Sequence, residues 1–175
     1  IDQRENRKLI AGHAKDKKVL NCFAYSGGFS VYAAKAGAKS VASVEVQERA
    51  VNTMKTNFEL NGLTPSPQPS PLGGEGRVRG EKFRFVCEDV FEFLRSDSEL
   101  YDLIVLDPPA FCKHQNQVAQ AARGYKDINL YAMKHLSPGG ILFTSSCSSF
   151  IEPDPFQKIV FGAAKDARRN VQIIQ

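Results

Sequence analysis

Apolar residues fall in short, nearly unbroken runs along most of the chain, with polar residues gathered between them. KVLNCF (18–23), SVASVEV (40–46), KFRFVC (82–87), YDLIVLD (101–107), GILFTSSC (140–147) and NVQIIQ (170–175) read as strands. Runs without an alternating polar face belong to strands covered on both sides. Helical spacing fills the intervals. Phe29–Ala36 follows a Gly-Gly turn, Glu48–Leu60 stops at Asn61-Gly62, and Val90–Arg95 follows a capping Asp89 with Glu92 three residues on. Another helix is expected from about Gly124 to Leu136, ended by Ser137-Pro138-Gly139-Gly140, and the opening DQRENRKLIAGHA predicts one with Asp2 as its cap. Alternating strands and helices predict an α/β fold, a doubly wound and mainly parallel sheet with right-handed crossovers.

One stretch breaks the alternation. TPSPQPSPLGGEGRVRG (64–80) is rich in proline and glycine and lacks apolar periodicity, so it is expected to be an insertion in a surface loop between a helix and the third strand. With 175 residues, 42% hydrophobic and 24% charged, the chain has the material of one domain.

Charge adds a direction. The formal net charge is +4, which permits a polyanionic partner without requiring one. Basic residues gather in 1–18 and in 113–134, where Lys113, Arg123, Lys126 and Lys134 face only Asp127. Each segment reads either as a phosphate contact or as a solvated face. Cysteines at 22, 87, 112 and 147 are far apart with no CxxC, so neither a zinc site nor a disulfide framework is expected. Cys22 and Cys87 read as core. No secretory segment or run of about 18 apolar residues is present, so the expectation is a cytoplasmic protein with free thiols and no membrane partner.

In an open parallel sheet, ligands bind beyond the carboxyl ends of the strands where the order reverses. The first strand runs into a loop with Gly27 and Gly28, which let backbone turn sharply and approach a ligand. This loop has neither GxGxxG nor GK[ST] spacing. At the tip of the second strand Glu45 can accept from both hydroxyls of a ribose, and at the tip of the third Asp89 can meet an adenine amino group. Together they predict an adenosine-containing cofactor. The fourth strand ends in DPPAF (107–111), whose prolines stop the strand and leave the Asp107 carboxylate and the Phe111 ring at the rim. A carboxylate beside an aromatic face suits a nucleobase.

Collinear over nearly the whole chain, DQRENR, VLNCFAYSGGFSVYAA, SVEV, CEDVFEFL, YDLIVLDPPAF, ARGYKDIN and GGILFTSSCS resemble the class I S-adenosylmethionine-dependent methyltransferases. More narrowly, they are similar to the bacterial family that makes 5-methylcytosine in large-subunit ribosomal RNA. The resemblance implies a Rossmann-like fold and S-adenosylmethionine as cofactor. It implies a loop from Phe23 through Tyr25 to Gly27 and Gly28 around that cofactor, Glu45 on its ribose and Asp89 on its adenine. Arg4 would meet its carboxylate, and Asp107 would border both cofactor and base. Pro108, Pro109 and Phe111, with Arg123 and Lys126, would touch RNA. Relatives usually carry a PUA domain before this part and a terminal β-hairpin after it. Neither is visible, so the chain reads as the catalytic part of a longer protein. A homodimer stays open.

Carbon 5 of cytosine is a poor nucleophile until a thiolate adds to carbon 6. From the residues alone, Cys147 reads as a cysteine packed at a strand end or as that nucleophile. The match of FTSSCS to the family's catalytic segment implies the nucleophile, with Asp107 positioning the base. A second cysteine that some RNA cytosine methyltransferases carry after Asp-Pro is Ala110 here. The rivals are a guanine or adenine methyltransferase acting on an amine or ring nitrogen, which DPPAF also resembles, and a cofactor-binding fragment that is inactive without its missing domains.

Overall fold

The computed structural model describes residues 3–63, 82–112 and 114–174. Among these, five strands form one parallel sheet: β1 (Lys18–Cys22), β2 (Ser40–Glu45), β3 (Phe83–Cys87), β4 (Tyr101–Leu106) and β5 (Leu136–Thr144), in the order β3-β2-β1-β4-β5. The order reverses between β1 and β4. That places the ligand crevice of a doubly wound sheet beyond Cys22 and Leu106. β1, β2 and β4 are buried nearly throughout, whereas the edge strands β3 and β5 are half-exposed. Continuous hydrophobic runs are therefore found where both faces are covered.

Alternation along each strand divides the core into two layers. Val19, Val41, Leu103 and Val105 pack on one side with α1 (Arg4–Ala14), α2 (Gly28–Lys35) and α3 (Glu48–Leu60). Leu20, Val44, Ile104 and Leu106 pack on the other with α4 (Val90–Ser96), α5 (Val118–Lys134) and α6 (Pro153–Asp166). A polar strut crosses the first layer. Asn21 of β1 donates to Ser30 of α2 (2.8 Å), and the Ser30 and Ser43 hydroxyls lie 2.7 Å apart, tying the start of α2 to the two central strands.

Asp89 caps α4 as expected, its Oδ1 accepting from the amides of Phe91 (2.8 Å) and Glu92 (3.2 Å). The Asn61-Gly62 stop also forms: Gly62 takes φ +69° and the Leu63 amide returns to the Phe58 carbonyl. The loop insertion 64–80, the Asp2 cap and Lys113 lie outside the described residues.

Several expectations need correction. Residues 170–174 form no strand, because no neighbouring backbone pairs with them among the described residues. α5 begins at Val118, six residues before Gly124, and ends at Lys134. Gly124 lies within the helix, at a position where a Cβ would come 3.3 Å from the Phe111 ring. Glycine was read as a boundary where it serves a close approach. β5 pairs from Leu136 through a bulge at Pro138-Gly139-Gly140 and ends at Thr144 rather than Cys147. Helix α6 is not among the helices expected from the sequence; Pro153 and Pro155 lie in its first turn, where proline is tolerated. Cys87 is exposed at the tip of β3 rather than buried, while Cys22 is core.

Candidate active site

The loop after β1 is the most strained backbone near the crevice. Phe23 (φ +57°), Tyr25 (+48°) and Gly27 (+80°) all adopt the left-handed region. For an aromatic residue that conformation costs about 1–2 kcal/mol, so it persists only where surrounding contacts enforce it. Those contacts are visible. Ala24 donates to the Val44 carbonyl (3.0 Å), and Asn57 of α3 donates to the Ser26 carbonyl (2.8 Å). Glu45, only 8% exposed, accepts from the Tyr25 amide through Oε2 and from the Gln47 amide through Oε1, both at 3.0 Å. The Tyr25 ring is 69% exposed above this clamp. Gly28 opens α2 beneath the Arg7 guanidinium, which lies over the Tyr32 ring; a Cβ at Gly28 would come 2.9 Å from Arg7.

Across the switch point stands Asp107. Its carboxylate accepts from Gln3 Nε2 at 3.2 Å on each oxygen, and Oδ1 also accepts from the Ser145 hydroxyl. The amide of Ser145 donates to the Leu106 carbonyl, so the β4–β5 ladder continues past the strand ends and carries 145–147 alongside 107–108. Two residues on, the exposed Cys147 thiol donates to the Pro108 carbonyl (3.3 Å). Sequence proximity could not show this pairing, because it depends on the register Leu106↔Thr144.

Although the residue as a whole is exposed, partial desolvation of its sulfur, first, and the Asp107 charge, second, push the Cys147 thiol above its usual range. At neutral pH the protonated form dominates, and the thiolate fraction grows as pH rises. A pH series of iodoacetamide alkylation, in a Cys87→Ser background to silence the other exposed thiol, should give a midpoint above the ordinary ~8.5 of a free cysteine. Asp107→Asn should lower that midpoint by removing the negative charge. An unmoved midpoint would show that the two groups do not sense each other.

Ser148 binds the two loops together. Its buried hydroxyl accepts from the Cys112 amide (3.2 Å) and lies 2.9 Å from the hydroxyl of fully buried Tyr125 on α5. Phe111 is half-buried among Phe23, Phe91 and Tyr125, with ring centroids 6.2, 5.9 and 4.6 Å away. Pro108 is buried and Pro109 exposed. The sequence reading missed Gln3, Ser145, Ser148 and Tyr125 as anchors of these loops; they are ordinary polar residues whose partners lie from 23 to 104 positions away.

Of the remaining expected residues, Asp89 is half-buried with Oδ1 engaged in the helix cap, and Arg4 is exposed at the start of α1. Arg123 is exposed on α5, whereas Lys126 pairs with Asp166 of α6 at 2.7 Å. That bond and the Lys126 charge lower the Asp166 carboxyl. Among the described residues, no group of three or more His, Cys, Asp or Glu is placed to hold a metal, and no helix is long and apolar enough to cross a membrane.

Known proteins resemble this chain in sequence and in fold. The chain is 46% identical to a ribosomal RNA large subunit methyltransferase I of Aeromonas hydrophila and 45% identical to that of Shewanella denitrificans, each over 100% of this chain and 41% of the relative. It thus spans about two-fifths of their length. Among solved structures, a protein of Streptococcus mutans named as a SAM-dependent methyltransferase is 28% identical, with a TM-score of 0.73 over 93% of this chain and 39% of that one. A methyltransferase solved in complex with SAH is 29% identical, with a TM-score of 0.73 over 94% of this chain and 40% of that one. A family profile described as S-adenosylmethionine-dependent methyltransferase matches residues 1–171, which includes every loop of the crevice, and the chain belongs to that family.

Proposed function

We propose that this chain is the catalytic part of an RNA methyltransferase that transfers a methyl group to carbon 5 of a cytosine, in large-subunit ribosomal RNA, through a covalent adduct on Cys147. One observation carries the reading. An exposed thiol stands at the tip of the β5 segment, bonded to the residue next to Asp107 and sensing the Asp107 charge.

The crevice fits the family's cofactor. Each Glu45 oxygen accepts one backbone amide, which leaves capacity for the two hydroxyls of a ribose. The Gly27-Gly28 turn opens toward the same strand tips, and Asp89 keeps Oδ2 outside the cap for an adenine amine. Bound there, S-adenosylmethionine supplies an electrophilic methyl group on a sulfonium. Asp107 accepts from the exocyclic amino group on the pyrimidine edge, and meets ring nitrogen 3 through the proton that nitrogen takes up as Cys147 adds. The thiolate forms a bond to carbon 6, and the electron pair this releases makes carbon 5 nucleophilic toward the methyl group. The carbon 5 proton then passes to water, and the electron pair it leaves breaks the carbon 6–sulfur bond, expels the thiolate and restores the aromatic ring. An ordinary thiol would be ionised more readily. Here burial is the larger cause of the raised Cys147 thiol and the Asp107 charge the second, and a substrate N–H that engages Asp107 offsets the second.

The relatives named as ribosomal RNA large subunit methyltransferases support RNA as the substrate, and exposed Arg123 offers a phosphate contact. Trapping tests the whole reading. RNA containing 5-fluorocytidine, which has no carbon 5 proton to lose, should remain attached to the protein through denaturing electrophoresis when S-adenosylmethionine is present. Methyl transfer to an exocyclic amine without any adduct would overturn it in favour of the amine-directed chemistry.

A further inference from the structure

Asp107 closes the crevice with a carboxylate that must be aimed, and the aiming comes from the far end of the chain. Gln3 lies 104 residues away, in the cap position of α1, where its side chain makes no cap hydrogen bond. Instead its Nε2 lies 3.2 Å from both Asp107 oxygens. An amide has a donor end and an acceptor end, and which end faces the carboxylate decides between attraction and repulsion. Asn6, one turn along α1, makes that choice: its Nδ2 donates to Gln3 Oε1 at 2.5 Å, which leaves the Gln3 amino group pointing at Asp107. On the opposite side the Ser145 hydroxyl donates to Oδ1. Oδ1 thus accepts from two groups and Oδ2 from one, so the open acceptor position is on Oδ2.

We propose that Gln3, oriented by Asn6, is the positioning residue for Asp107, and that it holds the carboxylate so that Oδ2 meets the substrate base. This rests on the reading of Asp107 as the group that receives the base. The neutral pair of amides suits the task. A lysine or arginine in the place of Gln3 would hold Asp107 in an ion pair and compete with the incoming base, whereas an amide is a donor weak enough to share it. From the segment after β5, the titratable Cys147 thiol also senses Asp107, whose charge adds to burial in raising it, and a cation beside the carboxylate would cancel that contribution.

The test is a pair of double-mutant cycles, read as single-turnover transfer of labelled methyl groups to large-subunit ribosomal RNA at saturating cofactor. Gln3→Ala should slow transfer about ten-fold, the scale of one lost charged hydrogen bond. In an Asp107→Asn background the same change should cost little more, because Gln3 acts through that carboxylate. Asn6→Asp touches neither Asp107 nor the crevice, yet it replaces the donor facing Gln3 Oε1 with an acceptor and should turn the Gln3 amide over. Its expected loss is at least as large as that of Gln3→Ala, and it should vanish once Gln3 is alanine. Losses that multiply in both cycles would assign Gln3 and Asn6 a general structural role and overturn the proposal, as would a silent Asn6→Asp. Undiminished transfer by Asp107→Asn itself would instead overturn the proposed function on which this rests.

Discussion

Cys147→Ala is expected to reduce methyl transfer on the order of 10⁴-fold or more, the scale on which removing a covalent nucleophile acts. The cofactor's affinity should stay within a factor of two. These two outcomes separate because the thiol contacts the Pro108 carbonyl on the β4–β5 side of the switch point, whereas the loop of Phe23, Tyr25 and Gly27 and the Glu45 carboxylate lie on the β1–β2 side. Folding should be little affected: the side chain is exposed, and its one hydrogen bond is to a carbonyl that water can serve. Cys147→Ser tests the chemistry more narrowly. The hydroxyl can keep the Pro108 contact but does not ionise in the working range, so it too should fail both in transfer and in trapping on 5-fluorocytidine RNA. Calorimetry with S-adenosylmethionine and a labelled-methyl assay read the two quantities independently. A Cys147→Ala protein that still methylates RNA would remove the covalent mechanism while leaving the cofactor site standing.

The second large effect belongs to Glu45. Glu45→Gln should weaken cofactor binding about 100-fold, or ~3 kcal/mol at 1.4 kcal/mol per decade. Its two oxygens accept from the Tyr25 and Gln47 amides in an almost fully buried position. Glutamine replaces one of those acceptors with an NH₂ group facing an N–H, and a buried donor left without a partner costs about 1–3 kcal/mol. If the Tyr25 amide is the one released, the left-handed turn loses an enforcing contact. A ribose hydroxyl that needed the same oxygen loses its acceptor as well. The cofactor-free protein should therefore melt at a lower temperature, because part of the loss is in the loop and not in the ligand. Unchanged affinity for SAH in calorimetry would remove Glu45 from the cofactor site, and an unchanged melting temperature would remove it from the loop.

Legibility varied with the range of the interaction involved. Elements whose signals are local were readable: the Asp89 cap, the Asn61-Gly62 stop and the buried β1, β2 and β4 all formed where the residues pointed. Proline and glycine misled wherever a distant neighbour set their role. Gly124 reads as a boundary and is a seat for the Phe111 ring, and Pro153 and Pro155, which suggest no helix by themselves, lie in the first turn of α6. Cys87 read as core because β3 is apolar, yet β3 is an edge strand whose last residue meets solvent. Lys126 reads as a phosphate contact or part of a solvated face, and its partner, Asp166, belongs to a helix the pattern does not reveal.

By itself the sequence determined that strands alternate with helices, that β1, β2 and β4 are buried, and that acidic residues mark the ends of β2, β3 and β4, because burial periodicity, caps and turn residues act within a few positions. Tertiary structure alone decided that the Cys147 thiol rests on the Pro108 carbonyl, that Gln3 reaches both oxygens of the Asp107 carboxylate, and that Glu45 clamps a left-handed loop. Those contacts arise from the order and register of parallel strands, and residues as much as 104 positions apart meet only after the sheet has set which strand tips are neighbours.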